Sequence, residues 1–132
     1  MRHLHTPAGA KDPDLTPEGK RYAERLAEQL PSAGLTAVYV SATKRAQQTA
    51  ASLAKRHKIV PKIYDPADSQ GVVAAALQEP GTVLIVGHSN TVPNIVVLLG
   101  GQRPRDLAHE DFGDLWQISG ASRLTKRTKL LE

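Results

Sequence analysis

The apolar positions of this chain alternate between helical spacing and short continuous runs. Within Tyr22–Leu30 an apolar side chain recurs at every fourth position, which predicts one buried face of a helix. The segment Thr16-Pro17-Glu18 marks its start, because threonine can cap a helix and proline suits the first helical position. Pro31 and Gly34 predict its end.

Three apolar runs predict strands, and helical patterns fill the intervals between and after them. Leu35–Val40 predicts a buried strand, whereas Ile59–Tyr64 predicts one nearer an edge because it contains Pro61. Thr82–Val86 is the most hydrophobic run and is expected to be central. The predicted later helices run from about Lys44 to His57, from the loop at 65–69 to about Glu79, and from Asn90 to Leu99, where Gly100-Gly101 ends the last one.

The remainder of the chain predicts an irregular acidic loop and a hairpin. The loop covers residues 102–113, and a strand, a turn and a strand follow at Leu115–Ser119, Gly120 and Arg123–Leu130. Strands that alternate with helices predict an α/β three-layer sandwich, with a mostly parallel sheet between helices and the hairpin as an antiparallel edge. The sequence contains no linker, so residues 1–132 are expected to form one domain.

The amino-acid composition excludes several classes of function. The 132 residues are 40% hydrophobic and 23% charged, which is typical of a globular domain. The absence of cysteine excludes thiolate catalysis and cysteine–zinc sites. A formal net charge of +4 is compatible with an anionic ligand, but the scattered basic residues are more typical of a solvated surface. No aromatic residues are interleaved with the basic ones, so we expect no nucleic-acid partner.

The sequence also predicts where in the cell the protein is located. No apolar run approaches the roughly 18 residues of a membrane helix, so no membrane partner is expected. This chain has no signal peptide, which predicts a cytoplasmic protein, or an exported one if an upstream segment precedes residue 1. The sequence gives no indication of an oligomeric state.

Polar residues follow two of the predicted strands and resemble an anion site. His88 comes directly after the most hydrophobic strand and Gly87, and Arg45 lies in the first turn of a helix. A cation at a helix start is unfavourable unless it helps the backbone N–H groups to bind an anion. Ligands in open α/β sheets bind beyond the carboxyl ends of the strands. We therefore expect His88 and Arg45 to converge there with Arg2 and His3, in a pocket sized for a phosphoryl group.

A metal site is the competing interpretation of the N-terminal histidines. His3 and His5 would lie on the same face of a strand, and His88 could supply a third ligand. No paired carboxylate is placed to complete such a site. His57 falls at a helix C-terminus, where a structural role is expected, and His109 has no assigned role.

Four ordered stretches together resemble the histidine phosphatase superfamily, the phosphoglycerate-mutase-like phosphatases, in its small phosphatase branch. The Arg-His motif stands at Arg2-His3, and the helix-opening Leu-Thr-x-x-Gly motif stands at Leu15–Gly19. The Ser-x-x-x-Arg-Ala-x-x-Thr-Ala pattern covers Ser41–Ala50, and the Gly-His-Ser motif is Gly87-His88-Ser89.

The resemblance implies an enzyme and a role for each motif residue. His3 would be the nucleophile that carries the phosphoryl group as a phosphohistidine, with its other ring nitrogen held by a carbonyl. Arg2, Arg45 and His88 would bind the transferring phosphoryl group and offset its charge. Water would then release phosphate, without a metal or any other cofactor. The substrate would be a phosphorylated small molecule or a phosphoprotein.

The sequence departs from the family pattern at three points. Only Met1 precedes Arg2, so the first strand is expected to be truncated. His5 stands where an acidic residue is common. The general acid is expected at Asp68. Other carboxylates in the two relevant loops keep that assignment open: Asp65, Glu110, Asp111 and Asp114.

Two further expectations depend on these departures. A truncated first strand and an uncertain acid would suit a catalytically impaired module that binds phosphate without turnover. The chain between Arg45 and His88 has no long insertion that could cap the pocket. An open pocket would suit a large or protein-borne phosphate better than a small sugar phosphate.

Overall fold

The computed structural model describes residues 1–30, 34–119 and 125–130, which alternate helix and strand through most of the chain. In chain order the elements are α1 (Pro17–Gln29), β1 (Leu35–Val40), α2 (Lys44–His57), β2 (Lys62–Ile63), α3 (Ser69–Leu77), β3 (Thr82–Ile85), α4 (Val92–Leu98), β4 (Asp114–Ile118) and β5 (Thr125–Lys129).

Side-chain caps set the helix starts that the sequence predicted. Thr16 caps α1 by accepting the Gly19 N–H at 3.1 Å, and Thr43 caps α2 by accepting the Ala46 N–H at 3.3 Å. The limits of β1 and α2 agree with the prediction residue for residue. The first turn of α2, which carries Arg45, is therefore fixed in position by its own cap.

The central sheet is parallel and has the strand order β2-β1-β3. The N-terminal segment, residues 1–3, lies along the other side of β3. It is joined there by a parallel bridge between Arg2 and Gly87 and by the Gly87 N–H, which donates to the Met1 carbonyl at 2.7 Å. The predicted central place of β3 thus arises because this short segment, instead of a long first strand, covers its outer side.

Helices cover both faces of the sheet because its strands are apolar on both sides. Val38 and Val40 of β1 point into a core shared with α1 and α2, and the alternate residues Ala37 and Tyr39 point into a second core shared with α3 and α4. This arrangement confirms the predicted α/β class with helices on both faces of a parallel sheet. It leaves the carboxyl ends of β1 and β3 as the open edge where polar side chains gather.

Two predictions, one for a strand and one for the hairpin, differ from the structure. The run Ile59–Tyr64 forms only the two-residue β2, because Pro61 cannot donate a ladder hydrogen bond and Val60 is 85% exposed. The hairpin β4–β5 is antiparallel as expected, but it is a separate two-stranded sheet and not an edge of the central one. Leu115 and Leu130 pack it against the core of α1 and α2 instead.

Some sequence predictions fall outside the described residues. They are the helix stop at Pro31, the hairpin turn at Gly120 and the start of the last strand at Arg123. The glycine predicted to end the last long helix is described, and Gly100 adopts φ of 90°, a left-handed conformation that suits glycine.

Candidate active site

The N-terminal segment, the end of β1 and the end of β3 meet at one point. The His3 N–H donates to the Gly87 carbonyl at 2.9 Å, which places His3 beside the turn that carries His88. The two imidazole centroids are 5.4 Å apart and both residues are buried. A Cβ atom on Gly87 would lie 3.0 Å from the Thr91 hydroxyl and 3.1 Å from Val92, so this close turn favours glycine.

A backbone carbonyl fixes the tautomer of His3. Nδ1 of His3 lies 2.8 Å from the Leu4 carbonyl oxygen, which can only accept, so Nδ1 carries the proton. Burial, with smaller contributions from His88 and the two arginines, lowers the pKa of His3 to about 4. The ring is therefore neutral at pH 7, and Nε2 holds a free lone pair.

Thr49 of α2 supports the carbonyl that holds His3. The Leu4 N–H donates to the Thr49 hydroxyl at 2.9 Å, and this hydroxyl donates to the Arg45 carbonyl at 2.7 Å. Both Leu4 and Thr49 are completely buried. The threonine four positions after Arg45 thus connects the first helical turn that bears Arg45 to the backbone beside His3.

His88 is oriented by a chain of hydroxyl groups. Its Nε2 lies 2.9 Å from Ser41 Oγ, which in turn lies 2.9 Å from Thr43 Oγ1. The His88 N–H donates to the Thr91 hydroxyl at 2.9 Å. Burial first, and then Arg45 and Arg2, lower the pKa of His88 to about 4, so this ring is also neutral at pH 7.

Arg45 lies at the rim of the site. Its Nη1 is buried and has no hydrogen-bond partner within residues 1–30, 34–119 and 125–130. It lies 3.7 Å from a carboxylate oxygen of Asp12, with which it forms an ion pair. The same oxygen of Asp12 accepts the Lys44 N–H at 3.0 Å. Asp12 therefore occupies the N-terminus of α2, where an anion is favoured.

Arg2 is held by the predicted irregular loop at residues 102–113. Its Nη1 donates to the carbonyl oxygens of Ala108, His109 and Asp111 at 2.8, 3.1 and 3.0 Å. The guanidinium carbon lies 4.1 Å from the centroid of the Phe112 ring. Nε of Arg2 is buried and has no hydrogen-bond partner in the part of the chain that the structure describes.

The structure thus gathers the four predicted residues, and it adds others that sequence reasoning missed. His3, Arg2, Arg45 and His88 lie together, as the electrostatic effects of both arginines on both imidazoles also indicate. Phe112 was missed, although it is the only phenylalanine of the chain and stands alone in a polar loop. That isolation was the one available signal.

The predicted acid, Asp68, is placed at the start of α3. Its carboxylate accepts the Gly71 N–H at 2.9 Å and caps the helix. Among the described residues, no hydrogen bond or ion pair joins it to His3, Arg2, Arg45 or His88. Asp65 is also exposed, and it accepts the Ala67 N–H at 2.9 Å.

The remaining candidate acids, two in the loop at 102–113 and one at the start of β4, differ in their surroundings. Asp114 is buried and pairs with Arg127 at 3.1 Å and Lys129 at 3.7 Å, so it stabilises the hairpin. A hydrogen bond from the Ala108 N–H lowers the pKa of Asp111, which opposes a role as acid. Glu110 is exposed and acts electrostatically on Arg2.

His5 does not share a metal site with His3 and His88. Its Nε2 lies 3.1 Å from Glu18, and its ring lies 4.7 Å from the rings of both Tyr22 and Phe112. In the part of the chain that the structure describes, no group of three or more histidine, cysteine, aspartate or glutamate side chains is arranged to hold a metal ion.

Comparison with known proteins identifies the family. The model of the histidine phosphatase superfamily (branch 1) matches residues 1–67, a range that includes Arg2, His3 and Arg45. The chain belongs to the histidine phosphatase superfamily. His88 lies beyond the matched range, so its place beside His3 is a finding of the structure. No curated protein matches this superfamily member.

Solved structures share its fold. SixA from Nakamurella multipartitia is 26% identical, with 84% of this chain and 70% of that chain covered and a TM-score of 0.50. A SixA protein histidine phosphatase complexed with tungstate is 19% identical, with 97% and 91% covered and a TM-score of 0.63. A mutant phosphoserine phosphatase from Entamoeba histolytica, in complex with phosphoserine, is 15% identical, with 97% and 92% covered and a TM-score of 0.68.

The described helices have between 7 and 14 residues. None of those within residues 1–30, 34–119 and 125–130 has both the length and the apolar character that a membrane crossing requires.

Proposed function

We propose that this superfamily member is a phosphatase that works through a phosphohistidine at His3. The observation that carries the proposal is the 2.8 Å contact between His3 Nδ1 and the Leu4 carbonyl. It puts the proton on Nδ1 and leaves Nε2 unprotonated. A nucleophilic imidazole needs this state at neutral pH.

The first half-reaction transfers the phosphoryl group to His3. Nε2 forms a bond to phosphorus while the bond between phosphorus and the leaving group breaks, and the leaving group takes a proton. The unpartnered donors of Arg2 and Arg45 would bind the phosphoryl oxygens, because planar guanidinium groups match this geometry. His88 would donate to a third oxygen.

The second half-reaction returns the enzyme to its starting state. Water attacks phosphorus, the P–N bond breaks, and its electron pair returns to Nε2 of His3. Inorganic phosphate leaves, and the water proton passes to phosphate or solvent. Neither half-reaction requires a metal ion, since the cationic side chains stabilise the charge of the transferring group.

The substrate is proposed as a phosphate monoester or a phosphohistidine. The likeness of the fold to SixA and to phosphoserine phosphatase supports this class. The segment between α2 and β3 contains only the short β2 and α3 among its regular elements, which supports an open site and a protein-borne phosphate.

Hydrolysis of an aryl phosphate tests the proposal. Wild type, His3→Ala and the control His57→Ala are assayed with and without a chelator. We expect turnover by wild type and the control in both conditions, and none by His3→Ala. Undiminished turnover in His3→Ala would contradict the mechanism. Phosphate binding without turnover in wild type would favour the impaired binding module.

Asp68 stays the predicted proton donor, and leaving-group dependence tests it. Asp68→Asn keeps the oxygen that caps α3 but cannot supply a proton. If Asp68 is the acid, this variant loses hydrolysis of an alkyl phosphate and keeps that of a nitrophenyl phosphate, whose leaving group needs no proton. Glu110→Gln serves as the parallel test of the loop at residues 102–113.

A further inference from the structure

The loop at residues 102–113, called the late loop here, holds Arg2 through one nitrogen of its guanidinium group. Nη1 has two hydrogens, and the carbonyls of Ala108, His109 and Asp111 take both of them. Nε, at the opposite edge, is buried and has no hydrogen-bond partner among the described residues. Arg2 is therefore anchored by its Nη1 end, while the Nε–H group is a donor that these contacts do not use.

The aromatic ring of Phe112 packs against both functional residues of the N-terminal segment. It lies 4.1 Å from the Arg2 guanidinium carbon, within the range of a cation–π contact. The His3 ring centroid lies 6.0 Å away. Only 6% of Phe112 is exposed, so this contact is shielded from solvent.

The loop is held in shape before any ligand binds. Asp111 closes a turn by accepting the Ala108 N–H at 2.8 Å, and its own N–H donates back to the Ala108 carbonyl at 3.1 Å. Gly113 follows with φ of 89° and accepts the Leu130 N–H at 2.8 Å. These contacts anchor Phe112 to the β4–β5 hairpin.

We propose that Phe112 is a positioning residue for phosphoryl transfer. Its ring and the adjoining carbonyls hold the Arg2 guanidinium in one plane, with the Nε edge turned toward the phosphoryl group at His3. The inference rests on the proposed function of Arg2 as a phosphoryl ligand. A purely structural Phe112 would affect folding stability but not the affinity for phosphate.

Fluorination provides a matched test, because Phe112 is the only phenylalanine in the chain. Replacing all phenylalanine in an expression culture by fluorinated phenylalanines changes this ring alone. Successive fluorines weaken the negative face of the ring while nearly preserving its shape. We expect the affinity for inorganic phosphate and kcat/KM to fall stepwise, by roughly 3- to 30-fold over the series.

A substitution and a stability control complete the experiment. Phe112→Leu removes the ring, whereas Leu26→Ala disrupts the fully buried core of α1 away from Arg2. We expect Phe112→Leu to lower phosphate affinity and kcat/KM, and Leu26→Ala to lower stability alone. Nitrogen NMR should show a guanidinium of Arg2 that rotates slowly in wild type and rapidly in Phe112→Leu.

The outcomes separate the two proposals. The role of Phe112 would be overturned if, in Phe112→Leu, the Arg2 guanidinium still rotates slowly and the affinity for phosphate equals that of wild type. This holds even if the enzyme turns over. If the wild-type enzyme transfers no phosphoryl group, the proposed function fails. The rotation rate of the Arg2 guanidinium and the affinity for phosphate then still decide whether Phe112 positions Arg2.

Discussion

Ser41 Oγ lies 2.9 Å from Nε2 of His88 and joins the end of β1 to the turn after β3. The hydroxyl is completely buried, and Thr43 Oγ1 lies 2.9 Å from it. This contact engages one ring nitrogen of His88, so Nδ1 is the nitrogen that can donate to a phosphoryl oxygen. The orientation of His88 therefore depends on a residue of the other polar segment.

Replacing Ser41 by alanine should impair catalysis more than folding. Leaving a buried ring nitrogen without its partner costs about 1–3 kcal/mol, which corresponds to a roughly 5- to 150-fold lower kcat/KM. Steady-state kinetics with an aryl phosphate measures the loss. Ser52→Ala is the control, because the Ser52 hydroxyl donates to Glu24 at the protein surface. Equal activity of the two variants would show that Ser41 does not orient His88.

Asp12 should weaken anion binding at Arg45. Asp12→Asn keeps an oxygen that can accept the Lys44 N–H but removes the negative charge 3.7 Å from Arg45. We expect inorganic phosphate to inhibit this variant at roughly 2- to 5-fold lower concentration in dilute buffer, with the difference fading at high salt.

Asp14→Asn is the matched control for charge. Its carboxylate accepts from the Gln48 side chain at 2.7 Å and forms no ion pair with Arg45 within the described residues. An equal gain in phosphate affinity from both variants would mean that total charge, and not the Asp12–Arg45 pair, controls binding.

Much of this arrangement follows from local sequence. The cap at Thr16 and the apolar run of β1 involve neighbours in the chain, and both were predicted correctly. The start of α2 at Lys44 was also predicted, although its cap at Thr43 was not. The meeting of His3 with His88 was also predictable, because strands in a parallel sheet end at the same edge. The family motifs supplied the identity of the residues that meet there.

The anchoring of Arg2 and the placement of the hairpin depend on contacts between segments that are distant in the sequence. Arg2 and Ala108 are 106 positions apart. The spacing of apolar residues does not predict a hydrogen bond between a side chain and a carbonyl so far away in the sequence. The hairpin lies outside the central sheet because Leu115 and Leu130 pack on the α1–α2 core, which is a tertiary preference. Local patterns cannot encode either contact.

The two active-site imidazoles should titrate far below an ordinary histidine. Burial lowers the pKa of both His3 and His88 to about 4, from an unperturbed value of about 6.5. NMR titration of the ring signals in the ligand-free protein should therefore show midpoints near 4. A midpoint near 6.5 for His3 would contradict the buried, neutral nucleophile.

The same shifts make folding stability depend on pH. Between about pH 4 and 6.5 the unfolded chain protonates these histidines while the folded chain does not, so the free energy of unfolding falls as the pH falls. Their contribution is fully present above about pH 6.5. Urea unfolding of wild type and His88→Gln at pH 7 and pH 4.5 measures the effect. We expect the variant to lose less stability on acidification, and equal losses would contradict the prediction.

The site of phosphorylation tests the mechanism most directly. Wild-type enzyme is mixed rapidly with a labelled aryl phosphate, quenched in alkali, and the phosphorylated residue and ring atom are determined by mass spectrometry and phosphorus NMR. Because Nδ1 of His3 donates to the Leu4 carbonyl, the label should be found on Nε2 of His3 and should be labile in acid. Label on Nδ1, on His88 or on no histidine during active turnover would contradict His3 as the nucleophile.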